Sequence, residues 1–525
     1  MNFVDLLDGA EYIAQQGDAS ISGLDYDSRR VKPGWCFVAM CGESTDGNQY
    51  IDAALHAGAA AIVSDSLAPR ANIPWAQVLH GRRALARLSA NFYGRPAEKL
   101  AITGITGTNG KTTTSFLVNA MLRGGGHKSA LVGTVEYRIE DEPYPAPHTT
   151  PEALELNQFL ARALDAGCTE AVMEVSSHAL EQQRVFGIPF DVAVFTNLTR
   201  DHLDYHGNME DYFSSKAVLF QGSGTEPPRV AVINVEDDYG KRLVELCKKH
   251  SEVITFGMAS GDFHAKDLKV EGSGTRFTLI TVDGEHAIWT PLLGRVNVLN
   301  VAAACAAAYA RNVEWRAIID AIYQLKRVPG RFERVDAGQP FTVIVDYAHT
   351  DDALRNLTAV AHDFLAQRGG GSHPFAQPVS SGELPARPVG RKDGAPRVIT
   401  VFGCGGDRDR SKRPLMGEAA GTGSDFVVLT SDNPRSENPI DIMNDALGGL
   451  QRSGTRYTLE PDRRKAIALA IDEAHPGDIV LIAGKGHEKL QVTQSGTVPF
   501  DDMEEARRAL QAAGYETPEA QSAKL

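Results

Sequence analysis

The stretch "LAITGITGTNGKTTTSFLVNAML", Leu100–Leu122, constrains the fold more than any other, because its periodicity changes twice. An uncharged apolar run gives way to a glycine-rich loop and then to the helical spacing of Phe116, Leu117 and Met121. This is the pattern of a buried strand, a tight loop and a helix. Glycines let a ligand approach the backbone, while loop amides and the helix N-terminus cradle phosphate oxygens. Gly107, Thr108, Asn109, Gly110 and Thr113 line such a cradle, Lys111 reaches terminal phosphates, and the Thr112 hydroxyl can ligate Mg²⁺. Ile105 stands where the common P-loop has its first glycine, so the form is TGxxGKT. A nucleoside triphosphate site in an α/β fold follows.

Around this element the chain divides into three. Residues 1–98 hold short strand candidates, "WCFVAM" and "AAAIVS", and close with the helical "RRALARLSANFYG". Residues 99–331 alternate helical patterns with the buried strands "AVMEVSS", "VAVFTNL", "RVAVINV" and "EVITFG", and end on the Ala-rich helix "NVLNVAAACAAAYA". The segment "VPGRFERV" is the candidate hinge into residues 332–525. There, "FTVIVDYAHT", "RVITVFGCGGDRDR", "DFVVLTSDNPR" and "DIVLIAGKGHE" are each a β-branched strand followed by a polar or glycine-rich loop. Ligands of open parallel sheets bind beyond the strands' carboxyl ends, so all four loops should face one site. Residues 367–396, rich in Gly, Pro and Ser, far exceed the usual connection of ~4 to 6 residues and are expected to be a flexible insertion.

A net charge of −14 over 525 residues argues against general binding to nucleic acid or a membrane surface. No run approaches the ~20 apolar residues of a membrane span, and the N-terminus lacks a basic start before an apolar block, so a cytoplasmic protein is expected. The six cysteines contain no CxxC pair and read as free thiols.

"MEVSSHALEQQR" puts Glu174 at a strand end, and "TNLTRDHLDYHG" adds Asp201, His202, Asp204 and His206 after the next strand. His202 and His206 at H-x₃-H spacing permit a zinc reading, but oxygen-rich, phosphate-adjacent surroundings suit Mg²⁺ better. A merely structural bond to backbone is the alternative for His206. Ser176, Ser177 and His178 lack a G-x-S-x-G elbow, which argues against a serine hydrolase. In "SDNPRSENP", Pro434 fixes its own φ and restricts Asn433, so the backbone around Arg435 is stiffened for a planar carboxylate or phosphate. Alone, this loop reads first as a Pro-rich surface turn.

Taken together, "DYDSRRVKPGWCFVAMCG", "TGTNGKTT", "HTTPE", "MEVSSHAL", "TNLTRDHLDYHG", "KAVLF", "GRVNVLN", "GRFE", "VDYAHT", "GCGGDRDRSKRPLMG", "DNPR" and "GKGHE" resemble, in order and over nearly the whole chain, the motifs of the Mur ligases. Departures are the long insertion and the first residues of "ESTDG". The resemblance implies three α/β domains: an N-terminal substrate-binding domain, a central P-loop ATPase-like domain with a parallel sheet, and a Rossmann-like C-terminal domain. It implies a monomeric, ATP-dependent amide ligase that adds meso-diaminopimelate to the D-glutamate γ-carboxylate of UDP-N-acetylmuramoyl-L-Ala-D-Glu. By the same resemblance Ser28, Glu43, Ser44 and Thr45 hold the UDP end, and Thr149, Thr150, Ser176, Gln182 and Arg184 the muramoyl dipeptide. Asn297 and Asn300 lie near adenine, and Arg331 and Asp346 reach ATP from across the cleft. Lys216 matches a lysine that the family carries as a carbamate (N6-carboxylysine, formed with CO₂), which would share Mg²⁺ with Thr112, Glu174 and His202; an unmodified Lys216 would be a cationic phosphate contact. Arg408, Asp432, Asn433, Pro434, Arg435, Gly484 and Glu488 form the diaminopimelate pocket.

The reaction so implied passes through an acyl phosphate, with Lys111, Glu174, His202 and Lys216 as the catalytic set. Alternatives are the same ligase using L-lysine, a folylpolyglutamate synthetase-like ligase, or a P-loop switch ATPase that makes no bond. An acyl phosphate must be kept from water, so the site should assemble only with its substrates. ADP release measured without the muramoyl dipeptide is therefore expected to be negligible beside the rate with it; rapid substrate-independent hydrolysis would favour the switch.

Overall fold

The computed structural model describes residues 1–42, 45–66, 72–271, 273–368 and 395–515. The expected contacts of Glu43 and Ser44, and nearly all of the insertion expected at 367–396, lie outside the described residues.

Runs of β-branched and apolar residues build three large sheets, one in each third of the chain, and a separate hairpin pairs Leu490–Thr493 with Gly496–Pro499. In the first, Gly23–Asp25, Trp35–Ala39, Ala61–Ser64 and Trp75–Val78 are parallel neighbours, and Tyr12–Gln16 closes the edge antiparallel to Trp75–Val78. Helix Gly81–Phe92 packs Leu85 and Leu88 onto this sheet's core.

The second sheet has eleven strands. Its parallel centre runs Glu252–Gly257, Val230–Asn234, Val192–Phe195, Ala101–Thr106, Glu170–Glu174, Ser129–Val132. Central strands such as Val192–Phe195 are buried along their whole length, as a parallel sheet covered on both faces requires. Hairpins extend both edges: Phe263–Glu271, Gly274–Thr281 and Gly284–Thr290 on one side, Tyr137–Ile139 and Glu142–Tyr144 on the other. The Ala-rich Arg295–Ala310 is a helix, as its sequence predicts, and is buried on nearly every face against the helix Lys111–Gly124. Alanine lets two helix backbones approach closely at no cost in side-chain entropy.

In the third sheet Thr342–Asp346, Ile479–Ala483, Val398–Cys404, Phe426–Ser431 and Arg456–Leu459 are parallel in that spatial order, with Glu333–Val335 antiparallel at the edge. The four strand-plus-loop repeats of the sequence are therefore parallel members of one sheet, and their loops leave from the same end. The linker reaches this end too. The Gly330 carbonyl accepts from Tyr347 N at 3.0 Å. Both Gly330 and Gly486 have positive φ; a Cβ on Gly330 would stand 2.2 Å from His487 N, and one on Gly486 2.8 Å from the Gly330 carbonyl.

Beneath the loops, Arg463 and Asp502 are a fully buried ion pair. Arg463 donates to both Asp502 oxygens, at 2.8 and 2.7 Å, and to the carbonyl of Ala483, the last residue of Ile479–Ala483. Removing one partner strands the other charge. Asp502→Ala is expected to lower unfolding stability by about 3 to 5 kcal/mol in urea titrations, whereas Arg463→Met with Asp502→Leu should recover most of that loss.

Candidate active site

Strand Ala101–Thr106 ends in the loop Gly107–Gly110, whose glycines both have positive φ. A Cβ would meet Thr196 Oγ1 at 1.9 Å from Gly107 and Asn300 Oδ1 at 2.4 Å from Gly110, so neither position accepts a side chain. Lys111 opens the helix and folds its ammonium over the loop, donating to the carbonyls of Gly107 (2.8 Å) and Thr108 (2.9 Å). Lys216, buried on helix Met209–Gln221, donates to the same Gly107 carbonyl at 2.9 Å and lies 4.5 Å from the Tyr212 ring. Burial depresses both ammonium pKa values, and Lys111 depresses that of Lys216 further. Two lysines converging on one backbone loop make a site for a polyanion.

Glu174 is completely buried. Its carboxylate accepts from Thr112 Oγ1 (3.0 Å), Thr134 N (2.8 Å) and Thr134 Oγ1 (2.9 Å), and has no ion pair among the described residues. A buried carboxylate supplied only with neutral donors, beside a hydroxyl, is a hard-oxygen donor set that fits Mg²⁺. Thr134 was not foreseen in the sequence. It connects Glu174 to Thr149, whose Oγ1 is 3.0 Å away. Thr150 Oγ1 donates to the Glu174 carbonyl and accepts from Ser176 N. Arg184 donates to the Thr150 carbonyl and to Gln182 Oε1, and pairs with Glu152 at 3.0 Å. Thr149, Thr150, Ser176, Gln182 and Arg184 are thus one connected patch beside Glu174, as grouped in sequence.

Ser28 lies between Gly23–Asp25 and Trp35–Ala39, in the turn where Asp25 accepts from Asp27 N and Arg30. Arg30 and Tyr26 both reach Glu155 on the central domain's helix Ala153–Asp165, so this turn borders the dipeptide patch. Thr45 is exposed, and its carbonyl accepts from Gly42 N.

His202 has left-handed φ and caps the four-residue helix Leu203–His206. Burial pushes its imidazole pKa down to about 3, leaving a neutral lone-pair donor near neutral pH. His178 lies between His202 and His206, with centroids at 4.8 and 5.6 Å. His206 uses both ring nitrogens, on Ser177 Oγ (2.9 Å) and Ser215 Oγ (3.2 Å), which answers the H-x₃-H reading: it has no nitrogen left for a metal. Among the described residues no cluster of three or more His, Cys, Asp or Glu side chains could hold a metal ion.

The linker and the C-terminal loops close the other side. Arg331 Nη2 donates to Thr112 Oγ1 at 3.0 Å, and its guanidinium lies 4.6 Å from the Tyr347 ring. Asp346 accepts from Phe332 N and Ala348 N, and burial raises its pKa. Asp201, although burial opposes it, is held below the usual carboxylate range by His202, Lys412 and His349; Lys412 is 3.4 Å away. Asp352 Oδ2 accepts from Asn109 Nδ2 at 2.8 Å. A cleft between the two domains is lined by Gly110, Thr113, Asn297, Asn300, Arg331 and Asp346, with Asn300 donating to Asn297 Oδ1. None of the seam partners Asp352, Lys412 and His349 was singled out from the sequence, since their contacts span 243, 211 and 148 residues.

Three of the four strand-end loops interlock, while the Asp346–His349 loop turns toward the nucleotide cleft instead. Gly406 N donates to the Asn433 carbonyl, and Arg435 Nη1 donates to the Gly406 carbonyl at 2.7 Å. Arg435 itself has φ 52°, a left-handed conformation costing ~1–3 kcal/mol for a non-glycine residue. The sequence points to a backbone stiffened by Pro434, and the left-handed φ of Arg435 is a further feature of the same loop. Burial and the neighbouring Arg408 lower the Arg435 pKa, and among the described residues neither arginine forms an ion pair. Asn433 Nδ2 donates to Glu488 Oε2, and Gly484 lies beside Asp432, where an added Cβ would be 3.1 Å from Oδ2. The sequence-derived pocket residues therefore share one site, with Lys485 as an unforeseen member.

Comparison with known proteins agrees with this geometry. Three family models match: "Mur ligase family, catalytic domain" over residues 20–93, "Mur ligase middle domain" over 105–308 and "Mur ligase, glutamate ligase domain" over 388–486. The chain is 50% identical over 497 residues to the UDP-N-acetylmuramoyl-L-alanyl-D-glutamate–2,6-diaminopimelate ligase of Solibacter usitatus, covering 94% of each chain. It is 43% identical to the like-named protein of Geobacter metallireducens, covering 93% of this chain and 94% of that one. A solved structure of a protein of that name superposes with a TM-score of 0.63 at 35% identity, over 94% of this chain and 96% of the other.

His487, at this seam, has its ring centroid 5.0 Å from that of Tyr347, and burial lowers its pKa to about 4. The unfolded chain binds this proton near its ordinary value of 6.5, whereas the folded protein resists it down to about 4. Stability should therefore fall as pH drops from about 6.5 to about 4, then stop falling on this account. Urea midpoints of His487→Gln across that range are expected to show a flatter acid limb than those of the unaltered protein.

Proposed function

The chain belongs to the Mur ligase family, and on that premise we propose that it joins meso-2,6-diaminopimelate to the D-glutamate γ-carboxylate of UDP-N-acetylmuramoyl-L-alanyl-D-glutamate with hydrolysis of ATP to ADP and phosphate. The product is a peptidoglycan precursor. The observation that carries the amino-acid assignment is the pair Arg435 and Arg408, two guanidiniums without an ion pair among the described residues, in the same pocket as the carboxylates Asp432 and Glu488. A pocket with both signs of charge suits an amino acid whose far end is itself an amino-carboxylate.

In the first half-reaction the γ-carboxylate attacks the γ-phosphorus, forming an acyl phosphate and releasing ADP. Two anions must meet, and Lys111 on the phosphate loop and Arg331 beside Thr112 neutralise the encounter. Mg²⁺, held by Thr112, Glu174, His202 and the carbamate of Lys216, supplies further charge neutralisation to the phosphates when bound. Carbamate forms from CO₂ and a neutral amine, and the depressed pKa of Lys216 favours that form. Gly107–Thr113 cradle the phosphates, Asn297 lies along the adenine, and Asp346 holds the backbone at Phe332 and Ala348 beside the nucleotide. Thr149, Thr150, Ser176, Gln182 and Arg184 hold the muramoyl dipeptide, with Ser28, Glu43, Ser44 and Thr45 at the UDP end. In the second half-reaction the amine attacks the acyl carbon and phosphate leaves. Arg408, Arg435, Asp432, Asn433, Gly484 and Glu488 orient that amine by gripping the opposite end of the molecule. One copy of the chain supplies every residue named, and its nucleotide substrates are those of the cytoplasm.

L-lysine is the nearest competing substrate. It lacks the second carboxylate, so it would leave Arg435 half-buried and unpaired, at a cost of roughly 1–3 kcal/mol or more. Competition between the two amino acids, read as product ratio, should favour diaminopimelate strongly. Arg435→Ala should reduce diaminopimelate incorporation far more than it slows ADP formation. Equal use of both amino acids by the unaltered protein would overturn the assignment.

A further inference from the structure

Lys485 is among the few lysines of this chain with no exposed side-chain surface, and it lies on no phosphate path. Its ammonium has three donors, and three acceptors surround it: Asn433 Oδ1 at 2.9 Å, Glu488 Oε2 at 3.0 Å and Asp432 Oδ1 at 3.4 Å. These acceptors come from two different loops, "SDNPR" and "GKGHE". Each carboxylate is held by one oxygen. Glu488 Oε2 also accepts from Asn433 Nδ2, whereas Glu488 Oε1 and Asp432 Oδ2 make no hydrogen bond among the described residues.

This arrangement has a definite electrostatic content. Arg463 and Asp502 neutralise one another directly below. Lys485 then offsets one of Asp432 and Glu488, Arg435 in the same pocket is attracted to both, and Glu488 Oε1 and Asp432 Oδ2 are left as fixed oxygens without a hydrogen bond among the described residues. Without Lys485, the two carboxylates would lose the donor that holds one oxygen of each in place.

Resting on the amino-acid reading of this pocket, we infer that Lys485 is a positioning residue for amino-acid selection: it pins Glu488 and Asp432 by one oxygen each and leaves the other pair of oxygens to receive the substrate's non-reacting ammonium group. It touches no reacting atom. Its removal is expected to act on the amino acid alone, because ATP and the dipeptide contact other loops.

The test is steady-state kinetics of the full chain with Lys485→Ala, varying each of the three substrates. The KM for diaminopimelate should rise roughly 10- to 100-fold, as for loss of hydrogen bonds to a charged group. The KM values for ATP and the UDP-linked dipeptide should stay as they were. Propylammonium, which replaces the excised side chain and its charge, should restore diaminopimelate KM saturably, and 1-propanol should not. A rise without such rescue, a parallel rise in all three KM values, or an unchanged diaminopimelate KM overturns the inference. If Lys485→Ala proves insoluble, Lys485→Gln replaces it: a raised diaminopimelate KM supports the role of charge, and a wild-type value overturns it. Unaltered protein that turns over no diaminopimelate overturns the functional reading and this inference with it. Unaltered protein that does so, beside variants with normal KM, overturns only the inference.

Discussion

Lys111 and Lys216 end on one carbonyl, that of Gly107, and the rest of the site is organised around this convergence of two buried amines. Two ammonium groups brought so close out of water repel one another and are costly to ionise. The central domain holds them there with elements that have little freedom to relax: a strand buried on both faces, a loop whose glycines admit no side chain, and a helix fixed through Tyr212. The carboxylate of Glu174, satisfied only by neutral donors, completes a region built for groups that arrive from outside. Such a site is pre-organised in the electrostatic sense: its dipoles and charges already stand where a phosphate would require them.

The linker and the C-terminal domain answer from across the cleft with one bond to each critical feature. Arg331 reaches Thr112, Asp352 reaches Asn109, and Lys412 reaches Asp201. These contacts lie in the phosphate loop itself or one residue from His202. The position of one domain relative to the other is therefore registered at the atoms where chemistry would take place, without an intervening chain of side chains.

What could be read in the sequence follows from the range of the forces concerned. Parallel strands announce themselves by unbroken β-branched runs, and the phosphate loop by glycines between a strand and a helix; both are local patterns. The grouping of Arg435, Asp432 and Glu488 was also legible, because each sits just past a strand of the same parallel sheet. The hairpins at the edges of the central sheet were missed, since strands such as Gly274–Thr281 alternate only partly between buried and exposed positions. Thr134, Glu152, Lys412 and Asp352 were missed for a different reason: their partners are remote in sequence, and polar residues in loops look alike until the fold brings them together. The positive φ of Arg435 was not foreseen from Pro434; Arg435 N donates to Val492 O, on a hairpin outside any motif. His206 resembled a metal ligand by spacing, and only the two serines on its ring reveal a structural role.

The contact between Gly330 and Gly486 has a consequence for how this sequence can change over generations. When a large side chain abuts a small one, a substitution that adds volume on one side can be accommodated by trimming the other. Here each residue already lacks a side chain, and an added Cβ on either runs into backbone of the other's loop. No second-site shortening exists to compensate. The join between the linker and the "GKGHE" loop is thus closed to stepwise drift, and the two loops can move through sequence space only by rebuilding their backbones together.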